Sequence, residues 1–235
     1  MASIVCEWGL ARIEAWCGRA GVFVIVDVLS FSTAVSVCVE RGAAVIPFPY
    51  GDTAAATAEA SLQGAVVALP RSAGGGQLSL SPMSLRGIAK GARLLLPSPN
   101  GSRLSVMTNG VPTICGCLRN ASAVARLADR LAGDGTIVVV PAGERWPDQT
   151  LRPAIEDWLG AGAIVAASSA VPNAEAALAA DAYRAVAARL GDIVRDCRSG
   201  RELIGWGYGD DVAVALERDA SAVVPLLRDG AYAAA

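Results

Sequence analysis

The chain has 235 residues, of which 53% are hydrophobic and 18% are charged, and its formal net charge is −2. This size and apolar content suffice for one buried core, so we expect a single domain over residues 1–235. No apolar run reaches the ~20 residues of a membrane span, no signal peptide is recognisable, and no basic block favours nucleic acid. We therefore expect a cytoplasmic protein with a small-molecule partner, with homo-oligomer formation left open.

The sequence contains no histidine. This excludes Ser-His-Asp and Cys-His catalysis, a phosphohistidine intermediate and any His-ligated metal. Acid–base chemistry must therefore come from carboxylates, Cys, Tyr, Lys or metal-bound water. The six cysteines are scattered, and we interpret Cys115 and Cys117 as buried thiols rather than as a disulfide or zinc site.

Short β-branched runs alternate with helix-like segments over the first 140 residues. The pattern predicts strands near 3–7, 22–27, 43–48, 65–69, 92–97, 111–115 and 136–140, and helices near 10–19, 31–41, 51–63, 82–90, 102–107 and 120–132. From Pro153 to about Asp219 it predicts mainly helix, at 153–169, 173–190 and 209–217. This order favours a three-layer α/β/α fold with a mostly parallel or mixed sheet and a helix-rich C-terminal third.

Cys6 and Arg12 have the Cys-x5-Arg spacing of tyrosine-type phosphatases. We interpret the spacing as coincidence. Glu7 beside the thiol would repel a phosphate and raise the pKa of the thiol, and the loop lacks the small residues that wrap an anion with backbone amides.

Asp27 follows the apolar run 22–26 and should lie at the carboxyl end of a central strand, where ligands bind in open α/β sheets. Ser30, Ser32 and Thr33 follow and can cap the next helix, whose free N–H groups favour an anion. The alternative is that all four are turn and cap residues. A haloacid-dehalogenase-like phosphotransferase would also place a nucleophilic aspartate here, but it requires a second Asp where this chain has Leu29.

A loop rich in Pro, Asn, Gly and Ser follows a second apolar strand. Its Ser98, Asn100, Gly101 and Ser102 combine hydroxyls with backbone that tolerates positive φ, which is typical of a phosphate-binding nest. Asn109 lies a little further along the same stretch. The alternative is two ordinary Asn-Gly turns.

Three acidic residues follow the next strand. Glu144 comes shortly after the strand, and Glu156 and Asp157 lie near the start of a predicted helix. Carboxylates that bind Mg²⁺ through oxygen are what a histidine-free hydrolase needs. The alternative is an acidic helix start favoured by the helix dipole.

Several of these segments together carry a family resemblance. The chain resembles the 2-phosphosulfolactate phosphatase family in VIVDVLSFSTAV, SPNGSRLSVMTNG, CLRNASAVA, PAGERW, IEDWLGAGAIV and SGRELIGWGYGDDVAVALERDASAVVPLLRDG, in order and over nearly its whole length. The family hydrolyses a phosphate ester with Mg²⁺ on an α/β/α fold. The resemblance therefore implies Mg²⁺-dependent hydrolysis of a small phosphoester, with Asp27 and Glu144 catalytic and with Asp27, Glu156 and Asp157 as metal ligands.

The resemblance also implies the residues that bind substrate: Ser30, Ser32, Thr33, Arg71, Ser81, Ser98, Asn100, Gly101, Ser102 and Asn109. At two places the chain departs from the family pattern. Ser30 stands where the family commonly has Arg, and the segment 69–84 lacks the expected Glu and has Leu80 where the family has Asn. Arg71 is a candidate replacement cation, because an anion clamp needs one. Because of these departures, an alternative function stays open: the protein binds a small phosphorylated or sulfonated acid and has no catalytic activity.

Overall fold

The computed structural model describes residues 1–73 and 76–235, so the glycines 74 and 75 of the departing segment lie outside the described residues. The strands β1 to β12 are Ser3–Cys6, Ala20–Val26, Ala44–Pro49, Val66–Val67, Arg93–Ser98, Thr113–Gly116, Thr136–Pro141, Glu144–Arg145, Leu151–Arg152, Val171–Pro172, Pro225–Arg228 and Ala231–Ala234. The helices α1 to α11 are Leu10–Trp16, Phe31–Glu40, Thr53–Leu62, Pro82–Leu85, Gly101–Val106, Ala121–Ala132, Ile155–Ala167, Ala174–Val186, Leu190–Asp196, Arg198–Gly205 and Gly209–Ala215.

Ten strands of the described residues form one mixed sheet, in the order β10-β1-β7-β2-β6-β11-β12-β3-β5-β4. The strands from β10 to β6 pair in parallel, and so do β3, β5 and β4. Between these groups lies the hairpin of β11 and β12, which pairs antiparallel with β6 on one side and with β3 on the other. The predicted mixed sheet is confirmed, and β8 and β9 form a separate two-stranded sheet.

The sheet is covered by helices on both faces because its central strands are apolar at successive positions. Along β2, Val22, Val24 and Val26 pack in the same cluster as residues of α6 and α7. The alternate residues Phe23 and Ile25 pack with residues of α1 and α5. This alternation gives the three layers that the sequence predicts.

Several predicted elements are shorter than expected. The helix expected over 82–90 ends at Leu85, just before Gly87, a residue that disfavours helix by about 1 kcal/mol. The strand expected over 65–69 is only Val66–Val67. The helical C-terminal third is confirmed, but its terminal hairpin was not predicted. No helix in residues 1–73 and 76–235 is long and apolar enough to cross a bilayer.

The ends of β2 and β5 meet although β6, β11, β12 and β3 lie between them in the sheet. At a spacing of about 4.8 Å per strand, a flat sheet would hold these two strands about 24 Å apart. The backbone N–H of Gly101, just after β5, nevertheless donates to the Asp27 carboxylate at 2.9 Å. The sheet must therefore curve enough to bring the two strand ends into one site.

Candidate active site

Asp27 lies at the end of β2 and is buried. Its Oδ1 accepts the N–H of Phe31 at 3.2 Å, at the start of α2, and its Oδ2 accepts the N–H of Gly101 at 2.9 Å, at the start of α5. The carboxylate therefore occupies the position that the sequence assigned to a bound phosphate at the Gly101 backbone. One carboxylate joins the two loops, as a cap residue would, and it also lines a cavity.

Glu144 opens the short strand β8 and faces the same cavity. Its Oε2 accepts a hydrogen bond from Nδ2 of Asn100 at 2.9 Å. This contact links the loop after β5 to the loop after β7. The three segments that contain Asp27, Asn100 and Glu144 therefore converge, as the strand-end argument predicts.

The cavity has a volume of about 300 Å³ and combines opposite charges. Three carboxylates line it, from Asp27, Glu144 and Glu202. Four guanidinium groups also line it: Arg71, Arg145, Arg152 and Arg198. Ser30, Ser98, Asn100 and Ser199 complete its polar wall. Such a mixture can bind an anion and also move a proton.

Arg71 takes up the position beside Ser30. Its Nη2 donates to Ser30 Oγ at 2.7 Å and to the Leu80 carbonyl at 3.2 Å. Asp211 lies 3.4 Å from its Nε, and the ring of Tyr208 lies 5.4 Å below the guanidinium. A cation therefore stands beside Ser30, held by residues distant in sequence.

A second group of cations, Arg152 and Arg198, also lines the cavity. It was not predicted from the sequence. Arg152 Nη2 lies 3.4 Å from Ser199 Oγ, and Arg198 Nε pairs with Glu202 at 2.9 Å. Both guanidiniums lie near the Trp146 ring, at 5.9 Å and 5.1 Å from its centroid. Neither arginine lies in a segment that carried the resemblance, since Arg152 precedes IEDWLGAGAIV and Arg198 comes directly before SGRELIGWGYGDD.

The adjacent acids at the start of α7 do not line the cavity. Asp157 Oδ1 accepts the N–H of Val28 at 2.7 Å, and its Oδ2 accepts the N–H of Gly143 at 2.9 Å. Glu156 accepts a hydrogen bond from the Cys197 thiol at 3.3 Å. Asp157 therefore braces the backbone on both sides of the cavity, directly after Asp27 and before Glu144.

Several predicted substrate-binding side chains make structural contacts elsewhere. Ser32 Oγ bonds the backbone of residues 25 and 27, and Thr33 Oγ1 donates to the Val28 carbonyl. Ser102 Oγ donates to the Leu96 carbonyl, and Ser81 Oγ donates to Asp211 at 2.5 Å. Asn109 lies in a turn at φ 48° and lines a different cavity. None of these side chains lines the cavity of Asp27 and Glu144.

Burial perturbs the carboxyls of the site. It raises the pKa of Asp27 to about 6, although the N–H groups of Gly101 and Phe31 act in the opposite direction. Burial and, next, the charge of Asp27 raise the pKa of Glu144 to about 7. Burial also raises the pKa of Asp157 well above its usual range. Asp27 and Glu144 line the cavity, and groups in a cleft with such pKa values are typical of catalytic sites.

Burial moves the pKa of Cys6 in the same direction, but further from neutral pH. Burial and the neighbouring Glu7 raise the pKa of Cys6 to about 12, and Glu7 pairs with Arg12 at 3.4 Å. The Cys-x5-Arg spacing therefore supplies neither a thiolate nor a free cation. Cys115 and Cys117 are buried free thiols, as expected.

Glu144→Gln is expected to stabilise the protein at alkaline pH in EDTA. The usual pKa of 4.5 rises to about 7 on folding, so the folded state holds this proton more tightly. The resulting stabilisation is complete below about pH 4.5 and is lost as the pH rises through 7. Glutamine cannot ionise, so the variant should gain roughly 2–3 kcal/mol over wild type at pH 8 relative to pH 4.5.

Thermal unfolding at the two pH values measures this gain. Glu14→Gln, at an exposed position on α1, is the control and should shift Tm equally at both. If the Tm difference between Glu144→Gln and wild type is the same at both pH values, the raised pKa is wrong.

Two comparisons with known proteins span the whole of this site. A family model for 2-phosphosulpholactate phosphatase matches residues 13–230. The chain is also similar to a 2-phosphosulfolactate phosphatase of Methanothermobacter thermautotrophicus, with 32% identity over 219 residues. That match covers 90% of this chain and 88% of the other protein. Every residue that lines the cavity lies within the matched range 13–230.

Proposed function

Because the chain belongs to the 2-phosphosulfolactate phosphatase family, we propose that it hydrolyses the phosphate monoester of a small organic acid, with 2-phosphosulfolactate as the reference substrate. One observation carries the proposal. Two carboxyls of raised pKa, Asp27 and Glu144, face the same cavity of about 300 Å³ as four arginines.

The arginines would bind the anionic groups of the substrate. Arg71 is fixed by Ser30, the Leu80 carbonyl and Asp211 at one wall, and Arg152 and Arg198 lie at another. A guanidinium binds phosphate, carboxylate or sulfonate through paired N–H donors. Cations on two walls suit an ester that carries a second acidic group beside its phosphate.

Glu144 would handle the proton in the reaction. A water oxygen attacks phosphorus, the bond from phosphorus to the ester oxygen breaks, and inorganic phosphate and an alcohol result. Glu144 takes one proton from the attacking water and passes it to the departing ester oxygen, so that no other reactant is needed. A pKa of about 7 suits this proton exchange near neutral pH. A general acid–base group raises the reaction rate about 10²- to 10⁴-fold.

The residues present also fit Mg²⁺. The described residues contain no cluster of three or more His, Cys, Asp or Glu side chains that could hold a metal. Mg²⁺ keeps several waters, however, and is usually held by one or two carboxylates together with substrate phosphate. Asp27 would hold it, with Glu144 beside it, and both are crowded negative groups that a cation would stabilise. When bound, Mg²⁺ would neutralise charge on the transferred phosphoryl group.

Phosphate release from 2-phosphosulfolactate, 2-phospholactate and 3-phosphoglycerate, with Mg²⁺ or with EDTA, tests the proposal. We expect release with Mg²⁺ and at least a roughly hundredfold lower rate in EDTA. Activity that survives EDTA would refute the metal part alone. Tight binding of these esters without any release would instead identify a binding protein without catalytic activity.

A further inference from the structure

A larger cavity, which we call the side chamber, adjoins the candidate active site. It has a volume of about 690 Å³, compared with about 300 Å³ for the site itself. Both cavities are lined by Arg71, Leu80, Pro99 and Trp206, so they meet at this wall. The shared residues place the two cavities side by side.

The walls of the side chamber are mostly uncharged. Aliphatic and proline side chains line much of it, and Tyr50, Trp206 and Tyr208 add aromatic surface. Asp52 and Arg71 are its charged lining residues, of which Asp52 is a helix cap and Arg71 is shared with the active-site cavity. Asp52 caps α3 by accepting the Ala55 N–H at 2.8 Å, and Arg71 contacts Ser30 and Asp211. Such walls favour an apolar or aromatic group over a second anion.

Two large aromatic side chains of the side chamber are unusually open to solvent. Tyr50 is 64% exposed and Trp206 is 68% exposed. Exposed aromatics beside a pocket are frequent ligand contacts, because a bound apolar group removes their surface from water. Trp206 also lines the active-site cavity, so one aromatic side chain borders both cavities.

We propose that the side chamber binds an uncharged apolar or aromatic substituent of the substrate, while the phosphate of the same molecule lies beside Asp27 and Glu144. This inference rests on the proposed function and narrows its substrate class. The preferred ester is a phosphorylated hydroxy acid with a sizeable apolar group, because the smallest acids leave the side chamber empty.

A matched pair of esters tests the inference. 2-Phospholactate and 2-phospho-3-phenyllactate differ only by a phenyl group, which would reach the side chamber. We expect kcat/KM for the phenyl ester to be on the order of ten- to a hundredfold higher, chiefly through a lower KM, since apolar burial stabilises the bound ground state and the transition state alike. Equal or lower kcat/KM for the phenyl ester would overturn the inference and leave the proposed function intact.

Variants locate the effect. Tyr50→Ala removes aromatic surface, and Ser72→Trp fills the chamber from an exposed wall position, so both should bring the ratio of the two kcat/KM values towards one. Leu178→Ala, at a 64% exposed apolar residue of α8 that lines neither cavity, is the control and should leave the ratio unchanged. If neither Tyr50→Ala nor Ser72→Trp changes the ratio of the two kcat/KM values, the phenyl group does not bind in the side chamber.

Failure of the proposed function can be separated from failure of this inference. If neither ester releases phosphate, the proposed function is wrong, and calorimetric titration with the two corresponding phosphonates then tests the chamber directly. Tighter binding of the phenyl phosphonate, reduced in Tyr50→Ala, supports the inference, and equal binding overturns it. If Tyr50→Ala instead dissociates an oligomer, as light scattering would show, and the two phosphonates bind equally, the surface is a contact between copies of the chain.

Discussion

Asp27→Asn is expected to lower kcat for phosphate release by roughly a thousandfold, within the range found when a group with a direct role in the reaction is lost. Asparagine is neutral and would hold a divalent cation weakly, and it cannot restore the negative charge that faces the arginines of the cavity. Single-turnover and steady-state release of phosphate at saturating Mg²⁺ and substrate measure the effect.

Stability must be measured in parallel, because Asp27 also has a structural role. Its two oxygens accept the N–H groups of Phe31 and Gly101, and asparagine can accept only one of them through its single side-chain oxygen. The loss of one buried hydrogen bond costs about 1–3 kcal/mol. A variant that remains folded at the assay temperature but keeps more than a tenth of wild-type kcat would remove Asp27 from the mechanism.

Asp157→Asn is expected to have the reverse profile, with a large loss of stability and only a few-fold loss of activity below the unfolding temperature. Both Asp157 oxygens accept buried backbone N–H groups, from Val28 and from Gly143. Asparagine would place an NH₂ group against one of these donors. We expect a loss of about 2–4 kcal/mol, which for a domain of this size lowers Tm by roughly 5–15 °C.

The comparison of Asp157→Asn with Asp27→Asn distinguishes a brace from a metal ligand, since both residues are buried aspartates. Thermal unfolding with EDTA and with Mg²⁺ gives the answer. If Asp157 only braces the backbone, Asp157→Asn loses the same stability with EDTA and with Mg²⁺, and Mg²⁺ still raises its Tm. If Asp157→Asn is as stable as wild type in EDTA but has lost that increase, Asp157 binds the metal, as the sequence suggests.

The fold could be predicted wherever a short-range pattern determines it. The apolar run before Asp27 does give a buried central strand, Ala20–Val26, and the predicted helices at 31–41 and 120–132 are Phe31–Glu40 and Ala121–Ala132. The terminal hairpin could not be predicted in the same way. Its two strands have four residues each and join the sheet by pairing with β6 and β3. This pairing is a tertiary contact that a local sequence pattern does not indicate.

Residues at strand ends could be placed in the site, and residues reached through long-range contacts could not. Asp27, Asn100 and Glu144 each follow an apolar run, so their convergence is predictable. The roles of Ser32 and Ser102 depend on which carbonyl lies within reach of each hydroxyl, and the sequence does not carry that information. Arg152 ends the short strand β9 and Arg198 begins α10, and neither follows an apolar run, so only the folded chain brings them to the cavity.

The terminal hairpin has a consequence for how the protein is made. Residues 225–234 leave the ribosome after all the other strands, yet they belong near the middle of the sheet. Until they emerge, β6 and β3 each present an unpaired edge, the kind of surface at which nascent chains associate wrongly. The sheet therefore closes only after residues 225–234 have emerged, and a nascent chain that lacks them exposes two strand edges at once.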